Sequence, residues 1–136
     1  MDSSVVARYR NIIWPIAGTV TSPFGWRVHP VFGEQRWHKG IDISIEYGAP
    51  VLAAKSGKII YAGWIEGYGQ TIIIEHDGIY STLYGHNSEL LVTQGTFVRQ
   101  SQVIARAGNT GTTTGSVLHF EVREKGKSVD PIRFLK

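Results

Sequence analysis

Residues 70–84 read QTIIIEHDGIYSTLY, and this stretch indicates the fold class of the whole chain. Two segments rich in β-branched and aromatic residues flank an Asp-Gly pair at 77–78, which suits the positive dihedral angles of a type I′ turn. The pattern predicts an antiparallel hairpin with strands at 70–75 and 79–84. His76 lies in the turn of this hairpin, where we expect its side chain to be exposed.

The same pattern continues on both sides of the hairpin, because short segments rich in Val, Ile, Tyr and Thr alternate with turn residues. An internal repeat is also visible: residues 46–63 and 94–108 each contain a Gly, an apolar segment, a turn and a second apolar segment ending in Ala-Gly. Two such units would bury their alternating apolar positions against each other. The sequence therefore predicts an all-β, antiparallel, sandwich-like and duplicated fold. Its further strands are expected at residues 50–54, 58–62, 96–99, 103–107 and 118–123.

Composition narrows the class of protein. The chain has 136 residues, of which 42% are hydrophobic and 18% charged, which fits one folded domain and excludes disordered, coiled-coil and collagen-like chains. The formal net charge is +3, and the basic residues are scattered and form no nucleic-acid-binding arm. We expect no nucleic-acid partner, although the charge alone leaves a nucleic acid, another acidic polymer and no particular anionic partner open. Because the chain has no Cys, any metal site must use His, Asp or Glu.

The N-terminal residues differ from the rest of the chain. Apolar residues recur there at nearly helical spacing, which predicts a short helical or extended segment at 1–13 and a domain at 14–136. No apolar run approaches the ~20 residues that a membrane helix needs. The first residues also lack a basic region followed by an apolar one, so the sequence predicts neither a membrane span nor a signal peptide of its own.

Residues 37–43, WHKGIDI, hold the first pair of candidate metal ligands. In an extended chain His38 and Asp42 would stand ~13 Å apart, too far to reach one ion. The chain must therefore bend between them, and Gly40 permits a bend because it has no Cβ. A His and an Asp on a bend that enters a strand are suited to metal binding. The alternative is a surface His and a turn Asp.

Residues 114–122, TGSVLHFEV, hold the next candidate. Leu118, Phe120 and Val122 alternate and should point into the core, which places His119 on the opposite face, toward a groove or solvent. His86 follows a predicted strand beside a Gly. Each of these histidines, considered alone, is equally compatible with an ordinary surface or loop residue.

Seven short motifs follow one another along the chain: Ser22-Pro23-Phe24-Gly25-Trp26-Arg27, Trp37-His38-Lys39-Gly40-Ile41-Asp42, Gly48-Ala49-Pro50-Val51, Tyr84-Gly85-His86, Gly108-Asn109-Thr110-Gly111, Leu118-His119-Phe120-Glu121 and Asp130-Pro131. Their order, spacing and flanking residues resemble the LytM-type zinc metallopeptidases of peptidoglycan, the M23 family that also includes lysostaphin. The resemblance covers about residues 14–135.

The resemblance implies a site in a groove over the sheet, with Zn²⁺ held by His38, Asp42 and His119. Three protein ligands on a tetrahedral ion leave the fourth position for water. His86, carried over from the Tyr-Gly-His motif, is then the general base or the donor that stabilises the oxyanion.

One position departs from the family pattern. The final motif usually begins with a second catalytic His, and this chain has Val117 in that place. Valine can neither donate a hydrogen bond nor take a proton. Loss of one oxyanion donor typically costs ~10²–10³ in rate, so reduced activity is expected unless Tyr84 or Tyr68 partly replaces it.

Other residues are weaker candidates for the groove. Trp64 and Tyr68 flank Gly-rich turns, and Asn109 lies in a predicted turn, so these three are the expected substrate-binding residues, although Trp in a small β domain is also a common core residue. Glu121 either orients His119 or is simply solvated.

Three functions remain open from the sequence. The first is a zinc endopeptidase that cleaves peptides of bacterial peptidoglycan, and the second is a degenerate LytM-like domain that binds peptidoglycan or regulates an envelope partner, which Val117 favours. The third is a carrier or phosphotransfer module. Its carrier version needs a Lys in a tight hairpin typically flanked by Met; the only Met is Met1, and Lys55 lacks that setting. The peptidoglycan functions imply an exported, extracytoplasmic parent protein of unknown oligomeric state.

Overall fold

A computed structural model gives the fold and describes residues 11–28 and 31–136. Within these residues it contains twelve strands and one short 3-10 helix. They are β1 (Thr19–Ser22), β2 (Gly25–Val28), β3 (Gln35–His38), β4 (Ile41–Ser44), β5 (Pro50–Leu52), β6 (Gly57–Ile65), β7 (Gly69–Glu75), β8 (Tyr80–Leu90), β9 (Phe97–Val98), β10 (Val103–Ala107), β11 (Val117–Glu124), β12 (Lys127–Val129) and the 3-10 helix (Pro131–Arg133).

Ten of the strands in the described part of the chain form one antiparallel sheet, which confirms the predicted fold class. Its main path runs β1-β4-β11-β8-β7-β6-β9, with β12 on β11 and the β5-β10 pair joined to β8. β2 and β3 form a separate two-stranded hairpin. The central position of β11, between β4 and β8, brings residues from three distant parts of the sequence side by side.

β11 shows the predicted alternation between core and opposite face. Leu118, Phe120 and Val122 are fully buried in the hydrophobic core, and each such side chain stabilises the fold by about 1.5–3 kcal/mol. His119 and Glu121 point to the other face and are buried there as well. The apolar face of β11 therefore fixes the position of its polar face.

The hairpin of β7 and β8 is present as predicted, but its turn is not of type I′. That turn type needs a positive φ at both central residues, and here Gly78 has a φ of 83° while Asp77 is not in the left-handed region. The Asp77 side chain instead accepts hydrogen bonds from the backbone N–H groups of Ile79 and Tyr80. Asp77 thus closes a three-residue loop through its carboxylate.

The internal repeat corresponds to a reciprocal pairing of strands. The first unit contributes β5 and β6, the second contributes β9 and β10, and the first strand of each unit pairs with the second strand of the other. Both units supply buried residues to the same core, among them Val51, Ile59, Val98 and Ile104. The duplication therefore closes the two units around one core.

Only residues 11–13 of the predicted N-terminal segment belong to the described part of the chain. Residues 1–10 lie outside the described residues, so a helical or extended form there stays a prediction. Ile12 is buried and forms an isolated bridge with Leu135 near the other end of the chain. In the part of the chain that the structure describes, no helix has the length and apolar character needed to cross a membrane.

His76 is not the exposed turn residue expected from the sequence. Its Nδ1–H donates to the Ser56 carbonyl oxygen at 2.8 Å, and its Nε2 accepts from the Thr82 hydroxyl at 2.8 Å. The chain of hydrogen bonds continues to the buried Tyr84 hydroxyl, which accepts from the Ala54 N–H. Protonation of His76 Nε2 would therefore leave the Thr82 hydroxyl proton without this acceptor.

This network predicts a pH-dependent contribution to stability. Burial lowers the pKa of His76 below its ordinary value of 6.5, so the unfolded chain takes up this proton first as the pH falls. The contribution is present above pH ~6.5 and is lost below it. We expect the difference in unfolding free energy between wild type and His76→Gln to shrink between pH 7.5 and pH 5, measured by urea denaturation. The same difference at both pH values would contradict this.

Candidate metal centre

The turn between β3 and β4 brings His38 and Asp42 together. His38 Nε2 and Asp42 Oδ1 lie 3.2 Å apart, so the chain bends here as the sequence required. Gly40 is needed for a different reason than expected, because its φ is not in the left-handed region. A Cβ at Gly40 would overlap the Phe120 carbonyl oxygen of β11. The glycine allows this turn to lie directly against the strand that carries His119.

The pairing of β4 with β11 adds the third ligand candidate. In this ladder His119 lies opposite Asp42, and its Nδ1 is 2.9 Å from Asp42 Oδ1. His119 Nδ1 is also 3.2 Å from His38 Nε2. The structure therefore brings together all three residues that the resemblance implies as ligands.

These three atoms fit a zinc ion by their chemistry and their spacing. Two imidazole nitrogens and one carboxylate oxygen form a group that could hold a metal, and the three residues are buried. Ligand atoms at about 2.0–2.2 Å from a tetrahedral zinc lie about 3.3–3.6 Å from one another, close to the observed 2.9–3.2 Å. A metal ion would replace the contacts that the three groups now make with one another.

Neighbouring groups set the orientation of His38 and Asp42. His38 Nδ1–H donates to the Pro23 carbonyl oxygen at 2.9 Å, which leaves Nε2 as the free lone pair facing the centre. Arg27 Nη1 lies 3.2 Å from Asp42 Oδ2, which leaves Oδ1 for the centre. The same nitrogen donates to the Ser22 hydroxyl at 2.9 Å.

The electrostatics of the centre favour a cation. Burial alone would raise the pKa of Asp42, but its close contacts with the His119 and His38 imidazoles outweigh burial and hold that pKa well below its usual range. Burial would lower the pKa of His119, but Asp42 and Glu121 raise it to about 9. Two buried carboxylates thus create a site in which positive charge is stabilised.

His86 lies beside this group on the floor of a cleft of about 250 Å³. Its Nδ1–H donates to the Thr110 carbonyl oxygen at 2.7 Å, which leaves Nε2 as an acceptor. Burial, and then the neighbouring His119, lower the pKa of His86 below 6.5, so the ring is neutral near pH 7. His86 also has a φ of 65°, which is uncommon for a residue other than glycine and occurs more often at functional sites.

Val117 and the two candidate tyrosines do not supply the missing imidazole. Val117 is half-buried at the start of β11, opposite Ser44. Tyr84 is fully buried, and its hydroxyl is held by Thr82 and Ala54. The Tyr68 hydroxyl donates to Glu121 at 2.6 Å. Neither tyrosine therefore has a free donor for an oxyanion.

Of the three residues expected to bind substrate, one lines the cleft and two do not. Tyr68 lines the cleft, as do Trp37, Lys39, Glu66 and Thr112. Trp64, 53% exposed on β6, and Asn109, exposed in the loop before β11, are not among the residues that line this cleft.

Several residues around the centre had an open role or none in the sequence. Of the two alternatives for Glu121, the structure agrees with contact to His119, because Glu121 is fully buried and its Oε2 lies 2.8 Å from His119 Nε2. Arg27 was part of a motif but had no predicted role. The Pro23 and Thr110 carbonyl oxygens, which orient two histidines, carry no side-chain signal that a sequence pattern could reveal.

The match to a family model is consistent with this geometry. The model of peptidase family M23 matches residues 36–131, which is more than half of the chain. The chain belongs to peptidase family M23. This confirms the resemblance drawn from the seven motifs, and the matched range contains His38, Asp42, His86 and His119.

The relatives of the chain include proteins named as a lipoprotein or an activator and a protein named as a peptidase. It is 44% identical over 123 residues to the lipoprotein NlpD/LppB homolog of Pseudomonas aeruginosa, covering 90% of this chain and 39% of that protein. It is 42% identical over 123 residues to the murein hydrolase activator NlpD of Escherichia coli, covering 90% and 30%. It is also 42% identical over 113 residues to the DD-carboxypeptidase/endopeptidase Mpg of Neisseria meningitidis, covering 83% and 26%. The chain therefore spans well under half the length of these curated relatives.

Solved structures share the fold. A zinc-containing peptidase from Vibrio cholerae matches with a TM-score of 0.71 and 35% identity, covering 85% of this chain and 39% of that one. The catalytic domain of lysostaphin from Staphylococcus simulans matches with a TM-score of 0.79 and 31% identity, covering 86% and 91%.

The close approach of Gly40 to β11 gives a test of how the centre is assembled. We expect Gly40→Ala to push the β3-β4 turn away from Phe120 and so separate His38 from His119, which lowers zinc occupancy. Gly115→Ala is the matched control, because a Cβ there meets nothing within 4 Å. Zinc per chain is measured by elemental analysis after dialysis, and equal occupancy in both variants would contradict the expectation.

Proposed function

We propose that this domain is a zinc-dependent endopeptidase that hydrolyses peptide bonds of bacterial peptidoglycan. The observation that carries the proposal is the convergence of His38 Nε2, Asp42 Oδ1 and His119 Nδ1 on one point of a cleft. Membership of a peptidase family, and the likeness to a zinc-containing peptidase, support it.

Different residues of the chain would hold the metal, transfer protons and position the peptide. When bound, zinc supplies a Lewis acid that polarises a carbonyl and lowers the pKa of water. His38, Asp42 and His119 would hold it. The contact with Thr110 keeps the ring proton of His86 on Nδ1, so Nε2 of the neutral ring is placed to accept a proton from attacking water and pass it to the leaving amine. Tyr68 and Trp37 form walls that would position the peptide.

A second candidate function is favoured by a specific observation. Val117 removes a donor that the family usually supplies, and one relative is named a murein hydrolase activator. In this case the domain binds peptidoglycan or an envelope partner and retains the metal site without useful hydrolysis. Both functions place the protein outside the cytoplasmic membrane, in agreement with the lipoprotein name of another relative.

Two measurements on one preparation test the proposed function. Wild type and His119→Ala are compared for zinc per chain and for new amines released from purified cell wall. We expect near-stoichiometric zinc and measurable amine release for the wild type, and loss of both in His119→Ala. Zinc-loaded wild type that releases no amine from cell wall, stem peptides or glycine-rich peptides would favour the second function.

Restoring the imidazole that is missing at position 117 should increase activity. We expect Val117→His to raise amine release about 10²–10³-fold, the usual value of one oxyanion donor, without changing zinc content. Val103→His is the control, since Val103 is an exposed valine of β10. If Val117→His releases amine no faster than Val103→His, the defect does not lie at position 117.

A further inference from the structure

Glu121 is a buried carboxylate in direct contact with the candidate metal centre. Its side chain has no exposed surface, and three donors surround it. Oε2 accepts from His119 Nε2–H at 2.8 Å and from the Tyr68 hydroxyl at 2.6 Å, and Oε1 accepts from Arg123 Nε–H at 2.8 Å. Burial alone would raise the pKa of Glu121, but these donors, His119 above all, lower it to about 2.

The contact with Glu121 decides which nitrogen of His119 faces the centre. Because Nε2–H donates to Glu121, Nδ1 is the nitrogen that would give up its proton to a bound metal and present its lone pair beside His38 and Asp42. Tyr68 adds to this restraint, since its ring stacks on His119 with centroids 5.0 Å apart and an interplanar angle of 22°. The imidazole is thus held at its edge and on its face.

The two carboxylates near the centre share one arrangement. Asp42 directs Oδ1 to the two histidines and Oδ2 to Arg27. Glu121 directs Oε2 to His119 and Oε1 to Arg123. In each case an arginine holds one carboxylate oxygen, so the other cannot rotate away from the imidazole without losing a charge-assisted hydrogen bond.

We propose that Glu121, held by Tyr68 and Arg123, is a positioning residue that fixes the tautomer and orientation of His119 for zinc. This inference rests on the proposed zinc site, but not on hydrolysis. Groups that orient a metal-ligating imidazole typically change metal affinity by 10–100-fold when they are replaced. Tyr68 accordingly contributes its hydroxyl to the metal centre as well as its ring to the cleft wall.

The experiment measures zinc affinity and one imidazole proton. Competition with a fluorescent chelator gives the zinc affinity of wild type, Glu121→Gln, Tyr68→Phe and Arg123→Gln. Glu124→Gln is the matched control, because Glu124 is an exposed carboxylate on the same strand. In parallel, long-range ¹H–¹⁵N correlation spectra of the zinc-loaded proteins show which nitrogen of His119 carries a proton and how fast that proton exchanges with water.

We expect Glu121→Gln to lower zinc affinity 10–100-fold and to speed exchange of the His119 Nε2 proton, because glutamine has only one acceptor for three donors. Tyr68→Phe and Arg123→Gln should shift both readouts in the same direction by less. If Glu121→Gln does not fold, these two variants test the proposal in its place, because each removes only one hydrogen bond to Glu121. Glu124→Gln should match wild type.

The outcomes separate this inference from the proposed function. If zinc binds and Glu121→Gln retains wild-type affinity and proton exchange, the positioning role is overturned. If Glu121→Gln does not fold and Tyr68→Phe and Arg123→Gln both match wild type, it is overturned as well. Zinc binding with the expected losses but without hydrolysis overturns only the proposed endopeptidase. A wild type that binds no zinc overturns both.

Discussion

The candidate site depends on the antiparallel register between β4 and β11. This register places His119 opposite Asp42, and the register on the other side of β11 places His119 opposite Gly85, next to His86. A slip of one residue would turn His119 into the core and Phe120 into the cleft. The buried apolar residues Leu118, Phe120 and Val122 prevent that slip, so the hydrophobic core sets the position of the metal ligands.

A second consequence of this register is a concentration of buried charge. Asp42 and Glu121 are both buried on the same side of the sheet, and His119 contacts both of them. Burying a carboxylate costs several kcal/mol unless partners compensate it, and here Arg27 and Arg123 hold the outer oxygens while the imidazoles hold the inner ones. The sheet therefore stabilises an arrangement whose own charges would favour solvent, and a bound cation would add to the folding free energy.

The sequence predicts the regular parts of the molecule and misses parts that depend on partners distant in sequence. Alternation in residues 117–123 correctly separates core from cleft, because a buried strand face imposes a period of two. Strands β2 and β3 escape prediction because they are short and mostly exposed, so no core enforces a pattern on them. The turn at Asp77 is not of the expected type, because hydrogen bonds from the backbone to the Asp77 carboxylate close it, and Asp77 itself does not adopt a positive φ.

The same limit applies to the candidate site. The motifs indicate His38, Asp42, His86 and His119, since these side chains offer ligands or bases wherever the chain places them. The burial of Glu121 cannot be read from position alone, because an outward-facing residue of β11 becomes buried only where Tyr68 and Arg123 cover it. Gly40 is needed because the backbone at Phe120, 80 residues later in the sequence, lies directly against it. A local sequence pattern cannot indicate a contact between residues so far apart.

Val117 lies apart from the three candidate metal ligands. Val117 and His119 lie on the same face of β11, about 6.5–7 Å apart along the strand. The register that fixes His119 opposite Asp42 places Val117 opposite Ser44, beyond the three candidate ligands. A change at position 117 can therefore remove a donor to the reacting group while the contacts of His38, Asp42 and His119 persist.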